Sequence, residues 1–342
     1  MMPMVFEGKR IYAICKTGKI GTGGIPHLPG LHGLWKGRGR PSRGLGIGRS
    51  PFPGDIIRRA LEMGINFFDT AMSYGGGESE RILGRALRDF APRDQVIVAT
   101  KFSPRTAEEI AAGISGAQHV SDCLNKSLKR LGMEYVDLYI CHMWDYHTPM
   151  EELLFGLHRA VEAGKARAIG ISNCHAWQLA KANAIAERNG WQKFISVQGH
   201  YNLLFREEER EMIPLCREDG IALTPYSPLA SGRLAKPRTE RSARLDTDMV
   251  AKGKYDATAA QDAAIIERVA ELAEKKGLTR TQVALGWLLS KVTSPVVGAT
   301  KAAHLEEAAA AVDVSLTAAE CAYLGQPYVP HRLVGVMQFN HA

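Results

Sequence analysis

From residue 53 onward the chain alternates between two textures, and this alternation limits its fold more than any other feature of the 342 residues. Short apolar runs rich in Ile, Val and Phe stand at 65–69, 95–101, 136–142, 166–172, 194–199, 221–225 and 295–298. Amphipathic stretches of Ala, Leu, Glu and Arg separate them, near 54–63, 78–88, 117–131, 150–163, 175–188, 207–219 and 280–290, with another at 302–312. The runs are continuously apolar rather than alternating, as strands buried on both faces are. Strand–helix repetition predicts parallel pairing through right-handed crossovers. Seven strands are evident, and 19–23 supplies a weaker first one. The predicted fold is therefore α/β, an eight-stranded (β/α)8 TIM barrel. A doubly wound open sheet is the competitor, but GTGG at 21–24 lacks the GxGxxG spacing and no helix follows promptly.

With 45% hydrophobic and 23% charged residues, the chain has ample material for one packed core, so 1–342 is read as a single barrel domain. Two segments exceed a minimal barrel. Residues 24–52, rich in Gly, Pro and Arg, read as a loop inserted over one barrel face; residues 230–260 are polar and precede an amphipathic helix at about 261–276. Residues 313–342 read as a C-terminal helix and tail. The net charge of +7 gathers partly at Lys36, Arg38, Arg40, Arg43 and Arg49. No aromatic RNA motif or zinc-finger spacing accompanies it, so an anionic cofactor is favoured over nucleic acid. Six cysteines, at 15, 123, 141, 174, 216 and 321, form no CxxC pair and suit reduced thiols. No signal peptide or membrane-length apolar run is evident. A cytoplasmic protein without membrane contact is expected, with homo-oligomers left open.

In a barrel, chemistry gathers at the carboxyl ends of the strands. Those ends carry Asp69, Lys101 and His142, and Tyr74 lies in the loop after Asp69. Alone, each has a plain structural explanation: a helix cap, a solvated lysine, a packing histidine, a loop tyrosine. Together they suit carbonyl reduction. Hydride arriving at a carbonyl carbon leaves negative charge on oxygen, so a proton donor must stand within hydrogen-bond reach. A tyrosine of pKa about 10 is a reluctant donor. A neighbouring ammonium favours the phenolate and lowers that value, and a buried lysine needs a counter-charge such as Asp69. His142 then holds the substrate oxygen against the donor.

The segment GINFFDTAMSYGGGESERILGRAL, followed by VIVATK, VDLYICH, GKARAIGISN, SVQGHYN and LTPYSPLASGRL, resembles the aldo-keto reductase family in order and spacing, from about residue 53 to 312. The resemblance implies a catalytic tetrad of Asp69, Tyr74, Lys101 and His142. It also implies that Ser172, Asn173 and Gln198 bind the nicotinamide carboxamide and that Tyr226 stacks beneath the ring. Ser227, Pro228, Leu229, Ser231, Gly232 and Arg233 match the run along the pyrophosphate, and Thr22 and Gly23 match the end of the first strand.

The sequence departs from the family around the adenosine 2′-phosphate. Where many members place a lysine, an arginine and an asparagine, this chain has Gly298, His304 and Ala308. Thr300 and Lys301 remain before a helix N-terminus that can receive a phosphate, and Glu307 fits a residue that meets the adenine amino group. NADPH is the expected cofactor, with NADH open. Met143, Trp144 and Trp35 are the candidate substrate contacts for a small-molecule carbonyl compound, and Leu31, Val334, Met337 and Phe339 are weaker ones. Two other functions stay open. One is a sugar or alcohol dehydrogenase running oxidatively with NAD(P)+, the other a cofactor-sensing accessory subunit of a membrane channel. A metal-dependent barrel hydrolase would need more His and Asp ligands than the strand ends supply.

Overall fold

A computed structural model describes residues 11–13, 53–237, 248–299 and 301–339. Its eight-stranded sheet runs in the order β7-β6-β5-β4-β3-β2-β1-β8. The strands are β1 (Ile11–Ala13), β2 (Phe67–Asp69), β3 (Ile97–Phe102), β4 (Val136–Cys141), β5 (Ala166–Ser172), β6 (Ser196–Gln198), β7 (Ala222–Leu223) and β8 (Gly298–Ala299). From β2 to β7 all pairings are parallel and follow chain order, as the strand–helix repetition predicts. β1, which is not among the strands expected from the sequence, pairs antiparallel with both β2 and β8. The crossover argument rests on the strand–helix alternation that begins at residue 53, and β1 lies outside it. The strand expected at 19–23 and the loop expected at 24–52 lie outside the described residues.

The sheet is curled, with apolar side chains on both faces. Phe67, Ile97, Ala99, Leu138 and Ile140 form a small cluster on the inner face. Their neighbours Phe68, Val98, Tyr139, Cys141, Ile169 and Ile171 point the other way, into the larger core beneath the helices. Continuous apolar runs are thus the sequence image of a strand filled on both sides. At the far edge, Val296 N donates to Pro225 O at 2.8 Å, and Thr293 N and Ser294 N both donate to Leu223 O at 3.1 Å. These bonds join β7 to the segment entering β8.

The expected helices form with small changes in extent. The stretch 207–219 divides into a 3-10 turn, Glu207–Glu209, and a helix, Met212–Glu218. Pro214 has no N–H to donate and is tolerated in a first turn, so the helix starts just before it. Two short helices lay inside segments expected to be irregular. Ala107–Ala111 is opened by a capping box of Thr106 and Glu109, and Met249–Tyr255 lies in the polar 230–260 segment, with Asp248 accepting from Ala251 N. Among the described residues, no helix is long and apolar enough to cross a membrane.

Candidate active site

Strand periodicity places most of the site. Residues two apart share a face, so the inward parity of Phe67, Ile97 and Ala99, and Leu138 and Ile140, extends to Asp69, Lys101 and His142. Parallel registers Asp69↔Ala99 and Lys101↔Ile140 bring these ends to one rim of the curl. Ser172 and Gln198, themselves in register, end β5 and β6 on the same rim.

Asp69 is nearly inaccessible and Lys101 wholly so, and their side chains form an ion pair. The Lys101 ammonium also donates to Thr70 O at 2.9 Å and to the Tyr74 hydroxyl at 3.4 Å. Burial pulls this ammonium below its ordinary pKa, while the Asp69 carboxylate holds it up. Asp69 uses its second oxygen to accept from Gln198 Nε2 at 3.1 Å. That link spans 129 residues and ties the expected catalytic set to the expected nicotinamide set. Sequence reasoning assigned both residues and missed the bond between them.

Tyr74 is delivered by the turn after β2. Its N–H donates to Ala71 O at 3.1 Å, and Met72 N donates to Lys101 O at 3.1 Å, so the turn is stitched to β3 beside the lysine. Gly77 then adopts φ 89°, and its missing side chain matters twice. The conformation is left-handed, and a Cβ there would sit 2.6 Å from Arg130 Cδ. Arg130 lies across this glycine to reach Glu80 at 2.5 Å, and the buried Glu80 accepts from Thr100 Oγ1 at 2.6 Å. The turn carrying Tyr74 is therefore clamped to the strand carrying Lys101.

His142 meets the Tyr74 ring edge-on, with centroids 5.7 Å apart. Burial, reinforced by the Lys101 charge, holds its pKa down to about 3, so the imidazole is neutral across physiological pH. Its Nδ1 is buried without a hydrogen-bond partner among the described residues. Asn173 donates from Nδ2 to His142 O at 2.9 Å and to Ser172 Oγ at 2.8 Å, and accepts from the Tyr226 hydroxyl at 2.9 Å. Ser172 Oγ donates to Gln198 O at 2.7 Å. One hydrogen-bonded sequence thus runs from Lys101 through Asp69, Gln198, Ser172 and Asn173 to Tyr226.

Four non-glycine residues among those described have positive φ: Asn173, Ser227, Ala230 and Ser231, at 48–56°. All lie in or beside the expected cofactor set. Backbone of this kind costs about 1–3 kcal/mol per residue and persists where its surroundings impose it. In the same loop Arg233 donates to Asp256 at 2.6 Å, while its Nη1 is buried without a partner among the described residues. Pro228 is buried and Leu229 and Gly232 half-buried in this run. Tyr226 stacks on His200 with centroids 5.4 Å apart, and His200 stacks in turn on Phe205 at 4.3 Å. His200 and Asn202 both bond the Tyr255 hydroxyl, at 2.7 and 3.1 Å. These supports lie within and just beyond the SVQGHYN segment, where two polar residues two positions apart, His200 and Asn202, were the available cue.

The chain matches the model of the aldo/keto reductase family over residues 53–327. It belongs to that family. Among curated relatives of this aldo-keto reductase, the versiconal hemiacetal acetate reductase of Aspergillus parasiticus is 42% identical over 296 residues, covering 80% of this chain and 86% of the relative. An aldo-keto reductase of Metarhizium robertsii is 37% identical over 304 residues, covering 82% of each chain. Among solved structures, a thermostable aldo-keto reductase crystallised with the inhibitor epalrestat aligns with a TM-score of 0.63 at 28% identity, covering 80% of this chain and 86% of that one.

Other expected site residues fall elsewhere on this aldo-keto reductase. Gly298, Lys301 and His304 are exposed around the start of the helix Ala302–Ala310, and Glu307 is half-buried. Met143 and Trp144 are half-buried just past His142, and Trp144 packs against the exposed Trp177 with centroids 6.2 Å apart. Thr22, Gly23, Leu31, Trp35 and Thr300 lie outside the described residues. Val334 is half-buried and Met337 buried in the C-terminal segment.

Proposed function

We propose that this aldo-keto reductase transfers hydride between a nicotinamide cofactor and a carbonyl compound, with Tyr74 as general acid, on a sheet closed into an eight-stranded barrel. The bonds between β7 and residues 293–296 support the closure. The observation that carries the reaction is the buried Lys101–Asp69 pair with its ammonium 3.4 Å from the Tyr74 hydroxyl. Hydride reaching the carbonyl carbon builds charge on oxygen, and Tyr74 donates a proton to that atom. The phenolate left behind is compensated by Lys101, whose own charge is held by Asp69. His142, neutral at working pH, does not compete as the acid and serves to orient the oxygen.

The residues present fit a nicotinamide dinucleotide. The Tyr226 ring, the run 227–232 with positive φ at Ser227, Ala230, Ser231 and Gly232, and Arg233 Nη1, unpartnered among the described residues, offer a stacking face, backbone amides and a cation. Ser172, Asn173 and Gln198 would hold the carboxamide, and Lys301, His304 and Glu307 the adenosine end. Bound there, the cofactor supplies hydride. NADPH is the cofactor we favour on family grounds, and the exposed Gly298 and His304 positions make NADH the alternative to test. Trp144 with Trp177 suggests an apolar or aromatic wall for the substrate, in keeping with the relative named as a hemiacetal acetate reductase.

A turnover screen of aldehydes, ketones and alcohols with NADPH and with NADH tests reaction, direction and cofactor together. In the best pairing, Tyr74→Phe is expected to retain less than about a tenth of the turnover, a loss in the range of one general-acid contribution, with cofactor binding nearly unchanged. Higher residual turnover overturns the proton-donor assignment.

A further inference from the structure

Lys254 stands outside the catalytic network, on the helix Met249–Tyr255, yet its Nζ lies 4.7 Å from the centroid of the Tyr226 ring. Three contacts hold it there. The next residue, Tyr255, is fully buried and bonded to His200 and Asn202 beneath Tyr226. Asp256 pairs with Arg233 of the 227–233 run. On the other side, Gly335 comes so close that a Cβ there would sit 2.8 Å from Lys254 Cε. The lysine stem is thus fixed between the C-terminal segment and the proposed stacking ring.

The ammonium makes no hydrogen bond or ion pair among the described residues, only the contact with the ring. Burial draws its pKa down to about 8, with Asp248 the carboxylate that opposes the shift. Asp248 is itself engaged at the helix start, accepting from Ala251 N at 2.9 Å. A half-buried cation with no ion-pair partner among the described residues lies beside a tyrosine, and a few residues along the same run Arg233 Nη1 is buried and, among those residues, unpartnered. An unpaired ammonium and an open guanidinium N–H, on an arginine whose other nitrogen already holds Asp256, together call for an anionic acceptor beside this run.

We propose that Lys254 is a phosphate-binding residue that closes over the pyrophosphate of the dinucleotide from the 249–255 helix, opposite Arg233. This rests on the nicotinamide reading above and adds to it a residue from outside the 227–233 run. A pyrophosphate supplies a counter-charge for Lys254 and an acceptor for Arg233 Nη1. It is common to NADPH and NADH, so the contact is indifferent to the 2′-phosphate.

The test titrates NADPH and NADH separately into the full-length protein, followed by quenching of tryptophan fluorescence, for wild type, Lys254→Met, Lys254→Gln and Lys254→Arg. Both cofactors should bind about tenfold or more weakly to the Met and Gln variants, the scale of one charge-assisted contact. Arg should restore most of the affinity, and the neutral variants should lose part of the salt dependence. Circular dichroism identifies a variant that has unfolded, and the remaining variants then carry the comparison. Unchanged affinity in a folded neutral variant overturns the inference while leaving the nicotinamide reading intact. A loss confined to NADPH also overturns it, because the contact would then be to the 2′-phosphate. Wild-type protein that binds neither cofactor overturns the underlying reading and the inference with it.

Discussion

Asp69 and Lys101 do two things at once, and substitution can separate them. Lys101→Met leaves a buried carboxylate without its partner, a loss of about 3–5 kcal/mol for a broken buried pair. It also removes the charge 3.4 Å from the Tyr74 hydroxyl. Asp69→Asn together with Lys101→Met removes both charges, so denaturant melts should show most of the stability returning while turnover stays at least 100-fold below wild type. If turnover returned with stability, the pair would be scaffolding alone. At this scale the sequence was legible where a short period governs geometry. Asp69, Lys101, His142, Ser172 and Gln198 all fall on the inward parity of their strands, which counting by twos reveals. The Asp69–Gln198 bond was not legible, because it depends on how far the sheet curls between β2 and β6 and no local pattern records that.

Elements were readable when their own sequence enforced them, and less so when tertiary contacts did. The helix Glu78–Phe90 has an amphipathic pattern and emerged directly. The helix Met249–Tyr255 is seven residues long and held by Tyr255 against His200 and Asn202, so its residues carry little helical signal. Packing between elements gives a sharper prediction at Gly84. Alanine in a helix interior is worth up to about 1 kcal/mol over glycine, which taken alone favours Gly84→Ala. A Cβ there would lie 1.9 Å from Leu131 O, and this backbone atom at the end of the helix Gly116–Leu131 has no rotamer by which to withdraw. Overpacking of about 1–3 kcal/mol or more therefore wins. Gly84→Ala should lower the denaturant midpoint, and it should loosen the Glu80–Arg130 clamp that joins the same two helices beneath the Tyr74 turn. A neutral or raised midpoint would show that the two helices slide apart at little cost.

For the whole molecule, buried titratable groups set how stability changes with pH. His142 is held down to about 3 and His200 well below its ordinary value, both chiefly by burial. In the unfolded chain they take up protons near pH 6.5. Between about 6.5 and 3 the unfolded state therefore binds more protons, and stability is lost as pH falls. Glu208 works in the opposite sense. It faces the apolar surroundings of β6 and the helix Met212–Glu218, and burial with the neighbouring Glu207 raises its carboxyl to about 8. An unfolded glutamate ionises near 4.3, so the folded state keeps an extra proton from there to about 8, and stability falls as pH rises across that window. Two histidines outweigh one carboxylate below pH 6.5, and above it Glu208 acts without them. Thermal melts from pH 4 to pH 8 should then peak between about pH 6 and pH 7. Glu208→Gln, which keeps the shape of the neutral carboxyl, should abolish the decline on the alkaline side and steepen the loss on the acid side, where Glu208 offsets part of the histidine effect. If the variant instead fell away above pH 7 as steeply as wild type, the alkaline loss would have to come from another group, and Glu208 would be ionised inside the folded protein.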